Sequence, residues 1–151
     1  MKIARFRSGR RVAFGVVMDD DVVEIRGSIY TRFRMTDTRH PVSEVTFLAP
    51  TEPSAIWCPG LNFADHVEFA ATVLSGEAPS VPDHPNPWHK GRNSLTGPGE
   101  PIIIPKDSNG DVHYEGEAVA VISRHCRRVT PSQAPRYILG YTCGNDVSDR
   151  T

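Results

Sequence analysis

The sequence contains little of what membrane-spanning, disulfide-stapled or zinc-binding proteins require. No apolar run approaches the roughly 20 residues that cross a bilayer. Its three cysteines, Cys58, Cys126 and Cys143, form no C-x-x-C pair, which argues against a structural zinc site or a disulfide framework. No apolar core of a signal peptide follows Met1. We therefore expect a cytoplasmic protein with reduced cysteines.

The chain also lacks an excess of charge of either sign. It carries 17 basic and 18 acidic side chains, a net charge of -1, so bulk electrostatic attraction to nucleic acid or to a membrane surface is not expected. Its 151 residues suffice for one ordinary domain, or for a small domain and part of another. The 13 prolines and 12 glycines favour short strands and loops over long helices.

The pattern along the chain predicts a mainly β protein with short helices (α+β). Residues 1–52 are expected to form a small N-terminal β meander followed by a connector, and residues 53–151 the front part of a second β domain. The meander contains three alternating segments separated by polar turns. They cover residues 3–6, 12–18 and 22–25, and residues 45–48 form a further short strand in the connector.

Regular structure in the second part is expected to be short. Asn62 can cap a helix that ends at Gly76, and the proline density of residues 76–101 predicts an irregular loop. Asn109–Gly110 is a typical hairpin turn. Further strands are predicted at residues 55–58, 102–104, 112–123 and 137–143, with one helical turn at 131–137.

Two glutamates stand in the strongest predicted strand. Alternation places Glu115 and Glu117 on the same face as Val119. Both faces of this strand carry apolar residues, which predicts burial on both sides. Paired carboxylates on a buried face would repel each other and lose solvation unless a dication compensates. The alternative is an edge strand with both glutamates in water.

A third carboxylate, Asp146, follows the next predicted strand. Three hard oxygen donors favour magnesium, manganese or calcium over zinc, and open coordination positions would suit a Lewis-acid catalyst. The oxygens of all three should then converge on one point. Residues 107–111 resemble the start of an EF-hand but lack its later Gly and Glu. His84 and His89 are interpreted as solvated loop residues.

Four motifs in one order resemble the fumarylacetoacetate hydrolase family. They are Gly60-Leu61-Asn62-Phe63-Ala64-Asp65-His66, Lys90 with the run from Asn93 to Ile102, Tyr114-Glu115-Gly116-Glu117, and Gly140-Tyr141-Thr142-Cys143-Gly144-Asn145-Asp146-Val147-Ser148-Asp149-Arg150. The resemblance covers residues from about 55 to 151, and more loosely the N-terminal meander.

The resemblance implies a mixed β-sandwich roll and an enzyme acting on 2-oxo or β-diketo acids. It implies magnesium or manganese at Glu115, Glu117 and Asp146, a catalytic His66, and substrate contacts from Lys90 and Arg150. The reactions it implies are C–C hydrolysis of acylpyruvates, with isomerisation, hydration or decarboxylation as alternatives. A homodimer is implied for a full-length protein. Relatives continue beyond the last motif, so we expect a truncated catalytic domain with little activity of its own.

Overall fold

The computed structural model describes residues 1–65, 67, 68 and 83–150. It is mainly β, as expected. Within these residues the strands are β1 (Lys2–Ser8), β2 (Arg11–Met18), β3 (Asp21–Gly27), β4 (Phe33–Pro41), β5 (Thr46–Phe47), β6 (Ile56–Gly60), β7 (Asn86–Lys90), β8 (Val112–His113), β9 (Gly116–Ile122), β10 (Ile138–Asn145) and β11 (Ser148–Asp149). Short 3-10 turns cover Val42–Glu44, Arg92–Ser94 and Ala134–Tyr137.

The chain forms two compact units. One comprises Met1–Thr46 together with Pro101–Thr151, and the other comprises Phe47–Glu100. The first unit therefore combines the N-terminal sheet with the C-terminal strands β8 to β11. The division at residue 52 expected from the sequence follows chain order instead and stays a prediction. Among the described residues, no helix is long and apolar enough to cross a membrane.

The N-terminal sheet confirms the predicted meander and extends it. Its strands lie in the order β4-β3-β2-β1-β5, and β1 to β4 pair antiparallel in sequence. The connector expected after the meander contains a strand that was not predicted, Phe33–Pro41. This strand lies at the sheet edge and exposes most of its side chains. Backbone hydrogen bonds to the neighbouring strand are enough to hold it in the sheet. Its sequence therefore has no apolar periodicity by which a strand could be predicted.

One face of this sheet buries a carboxylate. Phe6 and Val22 are almost fully buried there, and Glu24 lies beside them with only 6% of its surface exposed. The Glu24 carboxylate forms an ion pair with Arg11, and its other oxygen lies 3.4 Å from Nε2 of His40. A buried carboxylate is costly unless paired, and these two partners supply the compensation.

Gly15 makes room for the side chains of this face. A Cβ at Gly15 would lie 2.4 Å from Cγ1 of Val22, 2.8 Å from the backbone oxygen of Val23 and 3.1 Å from the Phe6 ring. Real Cβ contacts do not come so close, and the backbone oxygen cannot rotate away. The two most buried side chains of the sheet therefore depend on the missing side chain at this position.

We predict that Gly15→Ala destabilises the protein. Overpacking a closed core typically costs about 1–3 kcal/mol, so the free energy of unfolding should fall by that amount in urea denaturation. Gly140→Ala is the matched control, since nothing lies within 4 Å of a Cβ there. Equal stability of the two variants would contradict this packing explanation.

The other face of the sheet connects it to the C-terminal strands. Val16, Ile25 and Ile29 form its buried cluster. Leu139 of β10 packs against this cluster. Leu139 is the extra residue at a register shift between Ile138 and Gly140, so a β-bulge turns it toward the sheet. The bulge thus fixes one end of β10 on the N-terminal core.

The second unit contains the antiparallel pair of β6 and β7. Ile56–Gly60 confirms the predicted strand near Cys58, but Asn86–Lys90 is a strand within the stretch predicted to be irregular. Proline is tolerated there because Pro87 faces Pro59 across the pair, where no ladder bond needs its missing N–H. His89 belongs to this strand, not to a loop, and its ring meets that of Trp57 with centroids 5.4 Å apart.

Other local predictions had mixed outcomes. Val67 is buried, and its N–H donates to the Phe63 oxygen (3.1 Å), which is one helical turn after Asn62. The remainder of the predicted helix lies outside the described residues. Residues 102–104 form no strand, and their isoleucines are 52–79% exposed. The hairpin at Asn109–Gly110 is therefore wrong: residues 108–111 form a turn closed by side chains, and β8 pairs with β11 instead.

Candidate functional site

The candidate site lies on a long antiparallel ladder made by β8 and β9 on one side and β10 and β11 on the other. Gly116 pairs with Asn145, and His113 pairs with Ser148. Counting from either pair places Glu115 opposite Asp146. The predicted strand over residues 112–123 therefore has one continuous register, although its strand geometry is interrupted at residues 114 and 115. The interruption occurs where the first glutamate stands.

This register brings the three predicted carboxylate positions together. Residues directly opposite each other in a ladder share a face, with Cβ atoms about 4.5–5.5 Å apart, so Asp146 is the cross-strand neighbour of Glu115. Glu117 follows Glu115 by two residues and lies within β9. Its own partner is Gly144. Three acidic residues thus occupy neighbouring positions around a glycine.

Gly144 makes room for the side chain of Val119 beside Glu117. A Cβ at this position would lie 2.8 Å from Cγ2 of Val119 and 3.9 Å from Cβ of Glu117. Any larger residue would therefore collide with Val119, which follows Glu117 on the same face of the strand. The three acidic residues supply an all-oxygen donor set, which fits a hard dication of the magnesium or manganese type.

A carboxamide locks the interrupted part of the ladder. The Glu115 N–H donates to Oδ1 of Asn145 (3.0 Å), and the Asp146 N–H donates to the Glu115 backbone oxygen (2.8 Å). Sequence reasoning had assigned no role to Asn145. Its position next to Asp146, directly after an apolar strand, is the signal that could have indicated one. The side chain replaces a ladder bond and so fixes Glu115, while the backbone bond fixes Asp146 to the same residue.

The Glu115 carboxylate is engaged by a cation. Nη2 of Arg150 forms an ion pair with Oε1 of Glu115, with side-chain exposures of 45% and 19%. Arg150 is held in place by its own backbone, since its N–H donates to the Asp111 oxygen (2.9 Å). The sequence analysis had assigned Arg150 to the substrate. In this structure its guanidinium contacts a predicted metal ligand.

The predicted convergence of the three carboxylates is not seen. Across the described part of the chain, no three His, Cys, Asp or Glu side chains are grouped so that they could hold a metal ion. The backbone positions are adjacent, but the carboxyl oxygens do not form a cluster. The assignment of Glu115, Glu117 and Asp146 as metal ligands stays a prediction.

The expectation that the glutamate strand is buried on both faces was wrong. In β9, Val119 is 37% exposed and Ile122 is 52% exposed, and Tyr141 of β10 is 74% exposed. The ladder has two strands at each level, so within the described residues no further strand covers it. Desolvation alone therefore does not require an ion between the glutamates.

The two remaining predicted site residues belong to the other unit. His66 lies outside the described residues. Lys90 ends β7, where it pairs with Ile56 and is partly buried. Their predicted roles in proton transfer and substrate binding stay predictions.

Comparison with protein families identifies the segment that carries this ladder. Residues 55–151 match the model of the fumarylacetoacetate hydrolase C-terminal domain, which is most of the chain. The protein belongs to the fumarylacetoacetate hydrolase family. Residues 1–50 match a second model, described as the N-terminal domain of Rv2993c-like proteins. The resemblance inferred from the four motifs is therefore confirmed.

Relatives of known sequence or structure support both parts of the chain. Protein Rv2993c of Mycobacterium tuberculosis is 35% identical over 99% of this chain. The mitochondrial oxaloacetate tautomerase Fahd2a of Rattus norvegicus is 36% identical over 73% of it. The crystal structure of 5-carboxymethyl-2-hydroxymuconate delta-isomerase from Mycobacterium smegmatis superposes with a TM-score of 0.84 at 34% identity over 99% of the chain. The predicted fold class is confirmed.

The chain spans only part of each of these relatives. It covers 56% of the M. tuberculosis protein, 33% of the rat tautomerase and 56% of the M. smegmatis isomerase. The rat and M. smegmatis relatives are enzymes by their names, a tautomerase and an isomerase.

We predict that Asn145→Ala loosens the junction between the acidic residues. Losing one hydrogen-bond acceptor is worth about 1 kcal/mol, so the Glu115 amide hydrogen should exchange roughly fivefold faster in NMR-detected hydrogen exchange. Asn145→Asp keeps an oxygen acceptor and should preserve the protection. Unchanged exchange in Asn145→Ala would show that the carboxamide does not hold the ladder.

Proposed function

We propose that the protein is a divalent-metal-dependent enzyme that moves a proton on a small 2-oxo acid, as an isomerase or tautomerase. The observation that supports this most directly is the placement of Glu115, Glu117 and Asp146 at neighbouring positions in the register of the ladder. Three acidic residues around the glycine position Gly144 are an unusual use of a sheet surface, because like charges at adjacent positions destabilise it.

The three carboxylates are the proposed ligands of magnesium or manganese, with calcium as a third option. When bound, such an ion would supply coordination positions for the carboxylate and keto oxygens of a 2-oxo acid and would withdraw electron density from the carbonyl group. To bind it, the Glu115 carboxylate would have to leave Arg150, while its backbone stays fixed by Asn145 and Asp146.

Two further residues have proposed roles. His66 is the proposed acid–base group, because histidine exchanges protons near neutral pH and stands in the family motif that follows Gly60. Lys90 is the proposed contact for a substrate carboxylate. Its ammonium group provides a positive charge that an anionic substrate requires.

The names of the relatives favour proton transfer as the reaction. The rat protein is an oxaloacetate tautomerase and the M. smegmatis protein is a muconate isomerase. Both reactions move a proton between a carbon and an oxygen or another carbon of an oxo acid. Hydrolytic C–C cleavage of an acylpyruvate is the second candidate, favoured by the hydrolase domain that residues 55–151 match. It requires an activated water in addition to the same proton transfers.

The test measures both reactions with the same protein. With magnesium, the wild-type protein should accelerate the enol-to-keto conversion of oxaloacetate, followed by its ultraviolet absorbance, and Glu117→Gln should lose at least about 100-fold of this rate together with manganese binding by calorimetry. Glu44→Gln, an exposed site in a 3-10 turn of the same unit, is the charge-matched control.

The outcomes separate the candidates. Cleavage of acetylpyruvate without tautomerase activity would replace the first candidate by the second. Manganese binding that survives Glu117→Gln would remove the carboxylate site. The little activity expected from the sequence is the opposing outcome: no turnover of either compound by the wild-type chain, with manganese bound, would restrict this chain to metal binding.

We also predict that His66→Ala retains metal affinity and loses most of the turnover. Removing a general acid–base group typically costs about 10²–10⁴-fold in rate, while the ion is held by other residues. Turnover and manganese affinity are to be measured on the same preparation. Full activity of His66→Ala would exclude this histidine from the mechanism.

A further inference from the structure

We infer that Arg150 competes with the metal ion for Glu115, so that metal binding releases its guanidinium group. This inference rests on the proposed metal site. It differs from the substrate-binding role that the family resemblance gave to Arg150, because it assigns the residue a first partner within the protein and an order of events.

Three acidic residues on the ladder carry like charges. Glu115, Glu117 and Asp146 occupy adjacent positions, and three carboxylates there repel one another in the absence of a cation. One positive group close to them lowers this repulsion. Arg150 is that group in the structure, through its ion pair with Oε1 of Glu115.

The Arg150 ion pair and the proposed metal site both need the Glu115 carboxylate. The Glu115 carboxylate is directed to Arg150, and among the described residues the three acidic side chains do not group as a metal site. A dication and a guanidinium group would both require the Glu115 carboxylate, and they would repel each other at that distance.

Arg150 would remain close to Glu115 after a metal ion had replaced it there. Its backbone N–H is fixed to the Asp111 oxygen, and the two preceding residues pair with β8. The side chain is 45% exposed, so it can turn without disturbing a core. Once released, the guanidinium group presents a planar donor pair next to the ion, which suits a substrate carboxylate. The metal should therefore bind before the anionic substrate.

The experiment measures Mn²⁺ affinity of the protein by electron paramagnetic resonance at low ionic strength. Arg150→Gln should bind Mn²⁺ about three- to tenfold more tightly than wild type, because a competing unit charge is lost. Arg150→Lys, which keeps the charge without the planar fork, should lie between them. The advantage of Arg150→Gln should shrink as salt is added, since the pair is partly exposed.

Arg124→Gln is the control for net charge. Arg124 is exposed, and its guanidinium group stacks on the Tyr137 ring (4.8 Å to the centroid) and donates to the Arg136 oxygen, at the far end of β9 from the carboxylates. Its loss should leave the Mn²⁺ affinity within about twofold of wild type.

The results distinguish this inference from the proposed function. If wild type binds Mn²⁺ and Glu115→Gln abolishes binding, but Arg150→Gln binds equally or more weakly, the competition is refuted and the metal site stands. If Arg124→Gln tightens binding as much as Arg150→Gln, the effect is one of net charge and the inference fails. If neither wild type nor Arg150→Gln binds Mn²⁺, the metal site is absent and the inference falls with it.

Discussion

The register of β9 against β10 is the constraint on which the candidate site depends. Side chains alternate between faces along a strand, so a slip of one residue would send Glu117 and Asp146 to opposite sides. The pairing of Gly116 with Asn145 prevents this, and the Asn145 carboxamide continues the register across the interruption at Glu115. The chemistry of the family therefore begins with a backbone alignment, before any side chain meets a ligand.

The ion pairs of the N-terminal sheet and of the ladder differ in how firmly they are held. In the N-terminal sheet, the buried Glu24 is matched by Arg11 and His40 in a fixed arrangement. On the ladder, Glu115 forms an ion pair with Arg150, whose side chain is partly exposed. Ion pairs of the second kind contribute little stability. They are consequently easy to exchange, which suits a position that has to accept a different cation.

Sequence reasoning identified the acidic trio because alternation and motif order are local properties. The meander and the ladder strands were found for the same reason. The strand Phe33–Pro41 was missed because it lies at an edge of the sheet with polar side chains exposed to solvent. The strand Asn86–Lys90 was missed because proline is usually disfavoured in strands. The contact of Arg150 with Glu115 spans 35 residues of sequence. Only the folded ladder brings those two side chains together.

The bulge at Leu139 has a consequence for how this segment can vary. Leu139 is anchored in the core of the N-terminal sheet, and six residues separate it from Asp146. Substitutions between these two points change side chains but keep the count. An insertion or deletion of one residue there would move either the anchor or the acidic residue to the wrong face. The N-terminal sheet thus fixes the position from which the distance to Asp146 is set. The family should therefore tolerate changes of residue in this interval far better than changes of its length.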